Sequence, residues 1–514
     1  MPWGPMKPLL NRLALTSALA LVAISTAPGG AKADKASNTL KVAFTKELES
    51  VDSYFNSARE GVILQHSVWD GLLYRDPETG EYKGNLATSW KWVDDTTLEF
   101  KLRSGVKFHN GEEFDADDVV YTVNFVANSK NGVVTQSNVN WMKEARKIDK
   151  YTVQITTKGP FPTALEYLAG PVSIYPNEYY AQVGPAGMGL KPVGTGPYVV
   201  ESVEPGKHFV LKKYDGYHGS PKGKATIGIV DIRTIPDVNT QLMELMSGGL
   251  DFFWGVPSDQ AENLAAAGRF NVVNESTMRV GYLELDAAGR SGADGPLTKP
   301  AVRRAINHAI DRKAMVDNLL TGNSKVVNSA CFPTQFGCEQ TVTVYDYDPK
   351  KAKALLAEAG YPNGLTIDFH AYRDKEYAEA IVAYLSQVGI RTNFKYLQYS
   401  ALHDLRSKGK TSISFQTWGS YSVNDVSAIT SQFFKFSDVD FARDEEVRNW
   451  LDTADKSVHP ARRKEFYSKA LKKIADQAYW VPLFSYNVNY VFTQEVNYKP
   501  SPDEVVRFFH VTWR

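Results

Sequence analysis

The chain has 514 residues, too many for one hydrophobic core; at ~150 residues per domain it divides into about two to four. Its 58 basic and 58 acidic residues cancel to a formal net charge of +0, so no basic excess marks a nucleic-acid or anionic-membrane partner. A hydrophobic content of 43% is ordinary for a globular protein and suffices for large cores.

The N-terminus carries Lys7 and Arg12, then the apolar run Leu13 to Ile24, then Ala31-Lys32-Ala33 before Asp34. The run is too short to span ~30 Å of hydrocarbon, which needs ~20 residues. A positive start, a short apolar centre and an Ala-x-Ala end are the parts of a cleavable secretory signal, expected over 1–33. Cleavage there leaves 55 basic against 58 acidic residues, a net charge of −3. No Cys near the cleavage point offers a lipid anchor, so the mature chain is expected to be secreted and soluble.

Strand-like and helix-like periods alternate along the rest, which argues an α/β fold. Thr97 to Leu102 alternates like a half-buried strand, and Val106-Lys107-Phe108 resembles another before the turn Asn110-Gly111. Asp115 reads as a helix N-cap with Asp118 completing a capping box, followed by Val119, Val120, Val123 and Phe125. Gly184 to Gly189 and Gly194-Thr-Gly196 are glycine-rich and read as loops; neither is a phosphate-cradling motif.

Further on, Pro300 opens a helix whose stripe is Val302, Ala305, Ile306, Ala309 and Ile310. Cys331 and Cys338 flank six turn-rich residues; in an oxidising compartment they are expected to pair as a local disulfide. Asp348-Pro349 opens a helix that Gly360 closes, with Pro362 beyond. Tyr377 to Val388 reads as a helix leading into the strand-like Ile390 to Phe394, a βαβ pattern. Several domains without a long linker imply lobes joined by crossing strands, with a cleft between them for a small ligand.

Motifs of catalysis are missing. The sequence has no Gly-x-Ser-x-Gly, no nucleotide-binding Gly-x4-Gly-Lys-Ser/Thr and no His-x3-His or His-Glu-x2-His. No catalytic residue, metal site or cofactor is expected.

Several blocks carry a family resemblance. They are Leu86-Ala-Thr-Ser-Trp90, the stretch from Leu98 through Gly105, Phe108, Asn110-Gly111 and Phe114 to Asp118, and Gly194-Thr-Gly-Pro-Tyr198. Ala301 to Arg312, Tyr345 to Ala352 and Ala359-Gly-Tyr-Pro362 continue the same order. Together they resemble the family 5 extracytoplasmic solute-binding proteins of peptide/nickel-type ABC importers. The resemblance implies a two-lobed periplasmic binding protein fold, type II and cluster C-like, with an extra subdomain in lobe one. It places lobe one at about 34–284 plus 487–514, with the subdomain near 67–195, and lobe two at 285–486. The crossings fall near Tyr282 and Pro482. It also implies hinge closure on a ligand, an inner-membrane ABC permease as partner, and a monomer.

The expected ligand contacts follow from the same resemblance. Trp418, Gly419, Ser420, Tyr421, Asn424 and Asp425 lie in the loop where similar peptide binders carry an Asp for the peptide's ammonium. Here Ser420 or Tyr421 takes that position, which turns the expectation from a free-amine peptide towards a polyol, a sugar-like group or a blocked amine. Arg373 falls where dipeptide binders place an Arg for a carboxylate, and it also reads as a surface partner of Asp374 or Glu376. Glu47 lies in the first loop; Trp254 and Tyr282 are aromatic candidates near a crossing. The expected cargo is a short peptide or a peptide-like, opine-like anionic solute. A nickel or other metal chelate, a sugar conjugate, or a secreted hydrolase are the alternatives, and sensing without import stays open.

Overall fold

A computed structural model describes residues 35–514 except 47, 49, 57 and 321. The expected signal at 1–33 and Glu47 therefore lie outside the described residues.

The fold is α/β and organised by one ten-stranded mixed sheet. From one edge its strands run Ile390–Tyr396, Leu365–Ala371, Ile413–Trp418, Phe270–Leu285, Trp480–Thr493, Phe252–Trp254, Thr39–Phe44, Ile229–Thr234, His208–Lys213 and Tyr198–Glu204. The two central strands are the longest, at 16 and 14 residues, roughly 50 Å each, and they run antiparallel to one another. Their two ends lie in different cores: Phe270, Tyr490 and Phe492 pack in cores that Leu283, Leu285, Val481 and Leu483 do not share. Pro482 has no N–H to donate, and it sits where the ladder slips register, opposite Tyr282.

The cores follow the same division. One large core draws on residues from Leu40 to Phe252 and again from Tyr490 to Val511. A second spans Leu283 to Phe484, and a third Met278 to Trp480. Within the first region a separate four-stranded antiparallel sheet, Ala87–Asp94, Thr97–Leu102, Thr152–Thr157 and Met142–Asp149, carries the helix Ala116–Ala127. That helix begins with the expected capping box: Asp117 N–H donates to Asp115, and Asp115 N–H donates to Asp118. Val106–Phe108 does not extend into a strand; only Lys107 bridges, to Glu113.

In the other lobe the helix Pro300–Ala309 buries the predicted stripe, and Pro349–Glu358 ends before Gly360 at φ +93°. Leu365–Ala371, the helix Lys375–Gln387 and Ile390–Tyr396 form the predicted βαβ unit, with the two strands parallel. Cys331 and Cys338 are joined by the expected disulfide.

The glycine-rich segment at 184–189 is not a loop. It lies within the helical stretch Asn177–Leu190, kinked at Gly184, where φ is +61° and Pro185 restarts the turn. Gly194 and Gly196 are needed for close packing: a Cβ on them would lie 2.1 and 2.5 Å from the Val68 backbone.

Candidate functional site

The two lobes face each other across a cleft of about 580 Å³, within the ~300–1,000 Å³ usual for small-molecule sites. One wall comes from the helix Arg59–Val68 and the turn before it; the other includes the crossing strand at Arg279 and the loop at Ser422 and Val423. The C-terminal segment Asp503 to Arg507 closes one side.

The lobes touch directly at the rim. Arg59 Nη1 donates to Ser422 Oγ at 2.6 Å, and Ser422 Oγ donates to the Asp503 carbonyl at 2.8 Å. Asn424 donates its backbone N–H to Glu166 Oε1 at 2.8 Å. These contacts join segments more than 80 residues apart in the chain; Arg59 and Ser422 are 363 residues apart.

Most charges around the cleft neutralise one another. Arg507 pairs with Asp503 at 2.6 Å, and Arg75 reaches Glu166 at 3.0 Å and Asp503 at 3.3 Å. Burial alone would raise the Asp503 carboxyl, but Arg507 and Arg75 overcome it and hold the group well below the usual carboxylate range. Arg59 pairs with Glu504 at 3.5 Å. Burial, reinforced by Arg507 and Lys222, holds His66 well below the usual imidazole value, so it faces the cleft uncharged. Arg75, Asp503 and Arg507 also line a second hollow of about 760 Å³, so this ionic group is a wall between the two spaces.

Arg279 and Lys46 are the cleft cations left without an ion pair among the described residues. Arg279 sits where three residues, Thr277 to Arg279, oppose Tyr486 alone in the partner strand. Such an irregularity re-aims a side chain out of the ladder. Its Nη1 reaches only the Thr417 hydroxyl, at 3.3 Å.

The expected site residues are distributed unevenly. Trp254 lines the cleft, edge-on to Phe44. Gly419 lies beside Arg279: a Cβ there would be 3.0 Å from Nη2. Ser420 is buried at φ +50° just behind the cleft-lining Ser422 and Val423. The side chain of Tyr421 lies outside the described residues, as does Glu47.

Others are structural in this arrangement. Trp418 donates Nε1–H to the Ala428 carbonyl and stands edge-on to Phe433. Asp425 is held by Arg463 in a two-point pair at 2.8 and 2.9 Å. Asn424 lines the second hollow rather than the cleft. Tyr282 is fully buried and stacks on Trp480 at 3.6 Å, because the crossing strand turns that face into the third core. Arg373 pairs with Asp374 at 2.7 Å and lies over the Tyr486 ring, outside the cleft lining.

Arg59, Glu60, Glu166, Arg279 and the tail from Asp503 to Arg507 had no signal in the sequence that set them apart. Arg279 is the nearest to legible, as a lone cation before the apolar Val280 to Leu283.

Comparison with known proteins agrees with this architecture. The sequence model described as bacterial extracellular solute-binding proteins, family 5 middle, matches residues 81–440. The glutathione-binding protein GsiB of Escherichia coli K12 is 27% identical over 473 residues, covering 87% of this chain and 89% of GsiB. DppA from Helicobacter pylori, solved with the peptide STSA, superposes with a TM-score of 0.73 at 25% identity, over 94% of this chain and 100% of DppA. NikA from Brucella suis, solved with Fe(III)-EDTA, superposes at 0.79 with 23% identity, over 93% and 100%.

Proposed function

The chain belongs to the family 5 bacterial extracellular solute-binding proteins, the substrate-binding components of ABC importers, and we propose that its cargo is a short peptide or peptide-like anionic solute. The observation that carries this is Arg279: a guanidinium that lines the interlobe cleft with no carboxylate partner among the described residues. A bare cation in a partly desolvated cleft is stabilised by a ligand carboxylate, which its planar fork can grip in two hydrogen bonds. Lys46, on the facing loop, is a second cation without an ion pair among the described residues.

Relatives support the same class. GsiB is named for glutathione, and DppA was solved around a peptide. Ligand between the lobes favours the closed form by its differential affinity for it, and the closed form is what the inner-membrane permease receives. The protein acts as a secreted, periplasmic monomer; light scattering of the purified chain tests the last point. No helix among the described residues is long and apolar enough to cross a membrane.

Calorimetry with glutathione, a set of di- and tripeptides and a neutral disaccharide tests the cargo. Binding of at least one peptide, weakened by ~2–5 kcal/mol in Arg279→Ala, is the expected result. Binding of the disaccharide alone would refute it.

A further inference from the structure

We propose that Arg75 is a partition that sets the length of the cargo, dividing the space between the lobes into two chambers and confining the solute to the smaller one. This rests on the peptide-like cargo proposed above and adds a limit on its size.

The cleft of about 580 Å³ and the second hollow of about 760 Å³ adjoin, and Arg75, Asp503 and Arg507 line both. Both spaces open to solvent, the cleft beside the exposed Lys46 and Gly255 and the second hollow beside the exposed Glu78 and Lys499. Asp503 and Arg507 belong to one short stretch of the tail and hold each other at 2.6 Å. Arg75 comes from elsewhere, the end of the strand Leu73–Arg75, and bridges a gap. Its Nε lies 3.0 Å from Glu166, on the helix Ala164–Ala169, and its Nη2 lies 3.3 Å from Asp503.

The other lobe completes the partition at both ends of that bridge. Glu166 accepts the Asn424 N–H at 2.8 Å, and the Asp503 carbonyl accepts the Ser422 hydroxyl at 2.8 Å. A solute that runs from one chamber into the other crosses this line and keeps these bonds from forming. An extended tripeptide spans ~10 Å, close to the diameter of a sphere of the cleft's volume, whereas an octapeptide spans ~27 Å. The first fits the cleft with the partition shut; the second does not. Without the Arg75 side chain the chambers merge and the space more than doubles. The remaining groups keep partners: Asp503 retains Arg507, and Glu166 retains the Tyr82 hydroxyl and the Asn424 N–H.

The test is native mass spectrometry of wild-type protein and Arg75→Ala, each incubated with a tripeptide library and with an octapeptide library of the same residue composition. We expect wild-type protein to prefer the tripeptides by ~10–100-fold, the equivalent of the two net hydrogen bonds that an open partition forgoes. Arg75→Ala should narrow that ratio by admitting octapeptides. Equal capture of the two libraries by wild-type protein overturns the partition and leaves the peptide reading intact. So does an Arg75→Ala protein, shown by circular dichroism to be folded, that keeps the wild-type preference. Capture of neither library by wild-type protein overturns both. The comparison of lengths needs only wild-type protein, so it stands even where the variant fails to fold.

Discussion

Asn424 and Glu166 meet across the gap between the lobes, the backbone N–H of one donating to the carboxylate of the other at 2.8 Å. Glu166 is itself fixed by Arg75 and by the Tyr82 hydroxyl at 2.7 Å. With the bonds of Ser422 to Arg59 and Asp503, this forms a clasp that must break each time the lobes separate.

Ser422→Ala removes the hydroxyl that two of these bonds share. At ~0.5–1.5 kcal/mol per net hydrogen bond, affinity should fall several-fold, mainly through faster dissociation. Stopped-flow measurement of ligand release checks this; an unchanged release rate would separate the clasp from closure.

The disulfide should act on the same loop. Between its cysteines, Gln335 Nε2 donates to the Val423 carbonyl at 3.0 Å, and Phe336 N–H donates to the Asn424 carbonyl at 3.1 Å. Replacing Cys331 and Cys338 together by Ser is expected to cost about 2–3 kcal/mol, the entropy of so short a closed loop. Ligand affinity should fall as well, because the clasp loses its support. Denaturant titration and calorimetry on the one variant read both effects.

Two arginines should behave oppositely. Arg279 lines the cleft without an ion pair among the described residues, whereas Arg373 is neutralised by Asp374 at 2.7 Å. Arg373→Ala is expected to weaken the ligand less than Arg279→Ala, because Arg373 stands outside the cleft lining and meets Arg279 only through the Thr417 hydroxyl they share. A loss equal to that in Arg279→Ala would move the anion site to Arg373.

Asp52 predicts a pH dependence of stability. It is fully buried, with the hydroxyls of Tyr175 and Tyr180 and the Tyr54 N–H around it, and burial raises its carboxyl to about 6. The folded state therefore holds this proton more tightly than the unfolded chain. The resulting stabilisation is complete below pH ~4 and is lost as pH rises through about 6. Asp52→Asn lacks that slope, since an amide does not titrate in this range. Between pH 4 and 7 its stability should gain on wild type by on the order of 2 kcal/mol. Urea denaturation at the two pH values measures the difference.

Much of this molecule is written locally. The capping box at Asp115, the stripe from Val302 to Ile310, the stop at Gly360 and the βαβ pattern around Lys375–Gln387 depend on neighbours within a few turns, so the sequence displays them. Ordered blocks of such features identified the family, and the short spacing of Cys331 and Cys338 identified their bridge. The cleft is different. Arg279 and Tyr282 lie three residues apart on one strand, yet an irregular ladder turns the first to the ligand space and the second into the core against Trp480. Glu60 looks like any acid in a first helical turn; what sets it apart is the absence of a cation partner among the described residues, and that is decided by where Arg75, Arg59 and the tail at Asp503 come to rest. Secondary structure and family were thus fixed by short-range chemistry. Which charges remain unpaired, and hence what the cleft can hold, was decided only when residues hundreds of positions apart were brought together.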